Sequence, residues 1–186
     1  MIGMPTSPPK ILLTGKPCVG KTTVVKMVVE GFSGRAGGFY TEEIRRGKVR
    51  EGFRVRTLDG RHGILAHTGH SGPLRVGRYG VDVDGFDEIA LPSLERALEE
   101  DELVIIDEIG KMELFSPRFR KVIEGILASD KKVLGVIHQR IDPYTQRIRN
   151  WPAVEIWTVT EANRNSLPQL ILEKLRKKST GRSLQT

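Results

Sequence analysis

An α/β fold built on a mostly parallel sheet is what this 186-residue chain predicts, and three observations carry the expectation. Short apolar runs alternate with amphipathic helical stretches through the second half of the chain, the pattern of strands joined by crossover helices and covered on both faces. From Gly37 to Thr68 the texture changes to two-residue alternation, which adds antiparallel strands at one edge. A glycine-rich turn joins the first apolar run to the first helix.

Residues 1–9 hold three prolines and no hydrophobic stretch, so they read as a flexible leader and not a secretory signal. Lys10 to Thr14 is a short apolar strand, Gly15 to Gly20 a turn-rich loop, and 21–31 a helix that Gly31 ends. Phe39 and Tyr40, then Phe53, Val55 and Thr57 at alternate positions, mark strands, and Asp59-Gly60 is a hairpin turn. Gly69 to Gly80, rich in glycine and holding Pro73, reads as a long loop. Pro92 opens a helix as a first-turn proline, with Leu91, Leu94, Ala97 and Leu98 on one face. Leu103 to Ile106 is a buried strand. Ser116 caps and Pro117 starts a helix whose Phe119, Val122, Ile123 and Ile126 face inward. Val133 to Ile137 is a further apolar strand. A short helix over 143–150, a strand over 154–159 and a helix over 167–178 complete one domain, 10–178, before a polar tail at 179–186.

One cysteine excludes an internal disulfide framework and cysteine-rich zinc sites. No apolar run approaches the ~18–20 residues that span a bilayer. A cytoplasmic monomer without membrane contact is the expectation. Thirty Lys+Arg against twenty-three Asp+Glu give a net charge of +7, which suits a polyanionic partner. The excess gathers in 167–186 and in 35–61, where eight basic residues face Glu42, Glu43, Glu51 and Asp59. A weak nucleic-acid contact through this surface is a further expectation; solvated ion-paired faces explain the same charge.

The segment Gly15-Lys16-Pro17-Cys18-Val19-Gly20-Lys21-Thr22 satisfies G-x-x-x-x-G-K-[ST] without a mismatch. Glycines let the backbone turn so that successive N–H groups converge on one anion, and the helix that follows adds its positive dipole end. Lys21 supplies a point charge to the β- and γ-phosphates of a nucleotide, and the Thr22 hydroxyl, followed by Thr23, ligates Mg²⁺. The partner of Thr22 at the metal should be an acidic residue ending an apolar strand. Leu103-Val104-Ile105-Ile106-Asp107-Glu108 provides it, with Asp107 holding Mg²⁺ and Glu108 placed to take a proton from water. No Asn-Lys-x-Asp guanine-reading segment occurs, which argues against a GTPase switch.

Taken together, GKPCVGKTT at 15–23, GGFYTEEIR at 37–45, VGRYGVDV at 76–83, IIDEIGKMEL at 105–114 and TEANRNSLP at 160–168 resemble the small P-loop nucleoside-triphosphatases of thermophilic origin, also called the cancer-related nucleoside-triphosphatase family. The resemblance runs from about residue 10 to 175. It implies a RecA-like three-layer fold and Mg²⁺-dependent hydrolysis of several nucleoside triphosphates, with Gly15–Thr22 and Leu103–Gly110, including Ile109, forming the nucleotide site. Cys18 departs from a position that is often glycine in the family. RecA-like order also places Val133–Ile137 between the strands ending at Leu13 and Ile106. That puts His138 or Gln139 near the γ-phosphate, to sense phosphate loss or hold the attacking water.

Arg78, beside Gly77 and Gly80, is the expected source of a cation for the leaving phosphate, with Arg140, Arg147 and Arg149 as other candidates. Asn163 and Arg164, after the last strand, stand where the base would lie. Two other readings share most of these parts. A P-loop nucleoside or polynucleotide kinase would use the Glu108 region to present an acceptor hydroxyl. An ATP-switched nucleic-acid-binding protein would show steep salt dependence, although only 6% of residues are aromatic and no RNP-like motif is present.

Overall fold

The computed structural model describes residues 7–176. The first strand, β1 (Lys10–Thr14), is followed by helix α1 (Lys21–Gly31), and then by three long strands, β2 (Ala36–Arg46), β3 (Val49–Thr57) and β4 (His62–His67). Two short strands, β5 (Arg75–Val76) and β6 (Tyr79–Val81), lead into helix α2 (Val83–Glu100). Strand β7 (Leu103–Ile109), a 3₁₀ turn over Glu113–Phe115, helix α3 (Pro117–Ala128), β8 (Lys132–Ile137), α4 (Pro143–Arg149), β9 (Val154–Thr158) and α5 (Leu167–Arg176) complete the described residues.

Among the described residues all nine strands join one sheet in the order β5-β6-β4-β3-β2-β7-β8-β1-β9. The run from β2 through β9 is parallel, and β3, β4, β6 and β5 extend it with antiparallel pairs. Alternation along the buried strands feeds two apolar cores, one per face. Ile11, Leu13, Leu103 and Ile105 pack with α1 and α5, while Leu12, Val104 and Ile106 pack with α2 and α3. On the second face Phe39, Phe86 and Phe119 meet with ring centroids 5.2–6.0 Å apart.

The sheet confirms the parallel order expected from sequence, with β8 between β7 and β1, and the antiparallel extension at one edge. Two elements differ. Helix α2 begins at Val83, nine residues before Pro92, because the Asp82 carboxylate accepts from the Gly85 N–H and caps it there. Pro92 sits inside the helix. Burial of Ala90, Leu91, Leu94 and Ala97 around it outweighs the hydrogen bond that proline cannot donate. The expected loop from Gly69 to Gly80 contains β5 and the start of β6, whose two and three residues are too short for a periodic signal. Strand β7 runs on to Ile109, and α5 is described to Arg176; the expected leader's first six residues, the end of the last helix and the tail lie outside the described residues.

Candidate nucleotide site

The loop from Gly15 to Gly20 leaves β1 and enters α1 with three left-handed backbones: Gly15 (φ 151°), Cys18 (φ 60°) and Gly20 (φ 105°). A side chain at Gly15 would stand 2.6 Å from the Val159 carbonyl oxygen, so glycine is required there. Cys18 is exposed and holds a conformation that glycine adopts without cost. No side chain caps the N-terminus of α1, so the N–H groups of its first turn are open to an anion. The Lys21 ammonium lies across the loop and donates to the carbonyls of Gly15 and Lys16, each at 2.9 Å.

Strand β7 delivers the acidic pair. Leu103, Val104, Ile105 and Ile106 are wholly buried, as is Ile109, so these residues place the pair and do not themselves reach a ligand. Asp107 pairs with Val136 of β8, the next pair is Ile109 with Ile137, and Glu108 is the extra residue of a bulge. Bulges re-aim a side chain at a strand end, and Glu108 lies on the wall of the cavity that also exposes the phosphate loop. Below it Asp107 is 1% exposed, and neither of its carboxylate oxygens has a partner within hydrogen-bond distance. Burial pushes its carboxyl up to about 7 and Glu108 adds to the rise, while Thr22, Lys21 and Lys26 favour the charged form. An orphaned buried carboxylate beside a threonine hydroxyl is the donor set a hard divalent cation takes, so Thr22 and Asp107 fit Mg²⁺.

The cavity has a volume of about 450 Å³. Pro17, Cys18, Gly20, Lys21, Thr22 and Thr23 form one side, and Glu108 stands with Thr41, Glu42, Glu43, Arg50 and Phe53 on the other. Apart from Glu108, that second side comes from β2 and β3, and the sequence reading assigned it no role; the TEE of GGFYTEEIR was its one visible trace. Burial raises the Glu108 carboxyl and Lys21 opposes the rise. Glu113, 5% exposed, is also held well above the usual carboxylate range by burial and by the charges of Glu108 and Asp107. Gly110 leaves room for both glutamates: a side chain there would sit 3.0 Å from Glu108 Oε1 and 2.9 Å from Glu113 Oε2.

Behind Glu108 lies a second cavity of about 280 Å³ that reaches His138, with Thr41, Phe53 and Glu108 shared between the two. The His138 Nε2 is buried without a hydrogen-bond partner, 3.6 Å from Asp142 Oδ2, and burial holds its pKa below the ordinary value. His138 thus shares the second cavity with Glu108 and is absent from the wall beside the phosphate loop. Arg78 is absent from that wall too: it donates to the Arg50 carbonyl and lies over the Tyr79 ring. Arg147 pairs with Glu124, Arg149 donates to the His138 carbonyl, and Arg140 lines neither cavity. Arg164 packs on the phosphate loop, its Nη1 3.4 Å from the Val19 carbonyl. Asn163 closes its own turn, accepting from the Thr160 N–H and donating to the Thr158 carbonyl.

A phosphate loop after β1, with its acidic partner two strands away across β8, defines the class: a three-layer P-loop NTPase domain of RecA-like order. Within that class residues 10–172 match the model of a family described as NTPase, and the chain belongs to this NTPase family. It is similar to nucleoside-triphosphatase THEP1 of Thermotoga maritima, 50% identical over 167 residues that cover 90% of this chain and 95% of that one. The crystal structure of THEP1 from the hyperthermophile Aquifex aeolicus superposes with a TM-score of 0.84 at 41% identity, covering 90% of this chain and 99% of that one. The solution structure of a human cancer-related nucleoside triphosphatase gives 0.77 at 37% identity, with 90% and 97% covered.

Proposed function

We propose that this chain hydrolyses nucleoside triphosphates to the diphosphate and phosphate, with Mg²⁺ as cofactor and with little discrimination among bases. The observation that carries the reading is the bulge at Glu108, which sets a carboxylate across one cavity from Lys21 and the open end of α1. The loop amides and Lys21 hold the β- and γ-phosphates. Thr22 and Asp107 would hold Mg²⁺, which supplies charge neutralisation on the phosphate oxygens when bound. Glu108 takes a proton from water as its oxygen bonds to the γ-phosphorus. The bond from phosphorus to the bridging oxygen breaks, and the diphosphate leaves with the electron pair. A carboxyl raised by burial is a stronger base than an exposed one, which suits this step.

Weak base selection follows from the other end of the site. Asn163 spends its amide on its own turn and Arg164 lies along the loop, so neither presents a fixed donor and acceptor pair to a base edge. The charge of 35–61 favours this reading over a nucleic-acid switch, because Arg45, Arg46, Arg50 and Arg61 are paired with Glu43, Glu51 and Asp59 of the same stretch. Phosphate release from a panel of triphosphates, with no acceptor added and with and without RNA, tests the proposal. Release from ATP, GTP and pyrimidine triphosphates alike, unchanged by RNA, is the expected result. Release that requires a hydroxyl acceptor would make the protein a kinase.

A further inference from the structure

We propose that Arg50, on β3, is the catalytic arginine of this site, the guanidinium that meets the charge developing on the transferred phosphate. The inference rests on the hydrolase reading above and adds a residue from outside the phosphate loop and the acidic strand. Arg50 lines the same cavity as Lys21 and Thr22, on the wall across from them where Glu108 also stands. Its orientation is fixed before any ligand arrives. Nε donates to the Tyr79 hydroxyl at 3.0 Å and Nη1 to Glu43 Oε1 at 2.8 Å. The guanidinium lies over the rings of Phe53 and Tyr79, 5.0 and 5.7 Å from their centroids. Among the described residues Nη2 has no hydrogen-bond partner, and the side chain is 38% exposed, so donors remain for a phosphate oxygen.

This geometry depends on an irregularity in the strand. Ile44 pairs with Gly52 and Arg45 with Arg50, so Glu51 is an extra residue. In a regular strand Arg50 and Phe53, three residues apart, would point to opposite faces; the bulge removes that parity and lets the guanidinium reach the ring. Arg78 then has a role at one remove. It donates to the Arg50 carbonyl and flanks Tyr79, holding the arm from outside. A surface ion pair alone explains the structure less well. An exposed Arg–Glu pair adds only ~0–1 kcal/mol of stability, whereas this arginine is gripped by a hydroxyl, a carboxylate and two rings at the mouth of the site. A preorganised donor of this kind stabilises charge that develops only in the transition state.

The test compares Arg50→Ala, Arg50→Lys and, as a control, Arg46→Ala, whose side chain is 85% exposed and pairs with Glu51. Arg50→Ala should keep its melting temperature and its affinity for Mg²⁺-nucleoside diphosphate while kcat falls ~10²–10³-fold, the usual loss on removing one such donor. It should also fail to tighten on the diphosphate when aluminium fluoride is added, a trap the wild type should hold. Added guanidinium ion should restore part of the lost turnover. Arg50→Lys, which keeps the charge but not the fork, should remain well below wild type, and it serves in place of the alanine variant if that one fails to fold. Wild-type turnover in Arg50→Ala, or a loss confined to nucleotide affinity, would overturn the assignment while leaving the hydrolase reading intact. Failure of the wild type itself to release phosphate would overturn both.

Discussion

The parallel half of the sheet, β2-β7-β8-β1-β9, and the antiparallel arm, β3-β4-β6-β5, meet at the candidate site but are built differently. Strand β1 is buried along its whole length and β7 nearly so, each feeding a core on either face. In β3 buried, half-buried and exposed positions mix, and its Arg50 and Glu51 pair with Glu43 and Arg46 of β2. The parallel half supplies the phosphate loop and acidic pair as terminations of rigid strands. The arm, together with the outer part of β2 that pairs with β3, supplies the opposite wall through bulges, ion pairs and aromatic contacts. Stability is therefore concentrated in one half, and the site is shared by both.

The largest stability effect should come from the parallel half. Ile105→Ala removes a wholly buried side chain between β7 and the α1/α5 layer, and should cost about 2–5 kcal/mol in denaturant unfolding. Lys21→Ala should leave the fold intact but weaken Mg²⁺-triphosphate binding at least tenfold in calorimetry, the loss of ~1.5–3 kcal/mol expected for a charge-assisted contact. Binding equal to wild type would dislodge the phosphate loop from its assigned role.

Asp107 sharpens the comparison through pH. Its folded pKa of about 7 lies above the ordinary 3.8, so without bound metal the folded chain keeps a proton there that the unfolded chain loses. The group's contribution to stability therefore falls as pH rises from about 4 to about 7 and is flat above that window. Thermal melts across it should show wild type losing ground to Asp107→Asn, and parallel curves would contradict the burial argument. The smallest effect belongs to the arm. Ile64→Ala on β4 truncates a 47% exposed side chain and should change unfolding free energy by less than about 0.5 kcal/mol.

The same contrast decides what was legible in the sequence. Continuous apolar strands, the glycine-rich loop and the strand-ending Asp107-Glu108 announce themselves locally, and β8 between β7 and β1 followed from the family resemblance. Arg50 does not, because its partners are Glu43 and Tyr79, the latter 29 residues away, and its orientation depends on a bulge with no sequence signature. Arg78 looked the better cation because glycines flank it, yet its guanidinium is spent on the Arg50 carbonyl. The start of α2 was missed because an interior proline mimics a first-turn one, while the informative residue was the capping Asp82.

Glu108 joins the two halves, since its strand belongs to the parallel sheet and its carboxylate faces the arm. Glu108→Gln keeps shape and hydrogen-bonding reach but removes the oxygen that takes the proton. Phosphate release and Mg²⁺-nucleotide affinity, measured side by side on this variant, test the account most directly. Turnover should fall ~10²–10⁴-fold, the contribution of a positioned general base, with affinity little changed. Hydrolysis at the wild-type rate would contradict the account and move water activation to another group, with His138 the next residue to test.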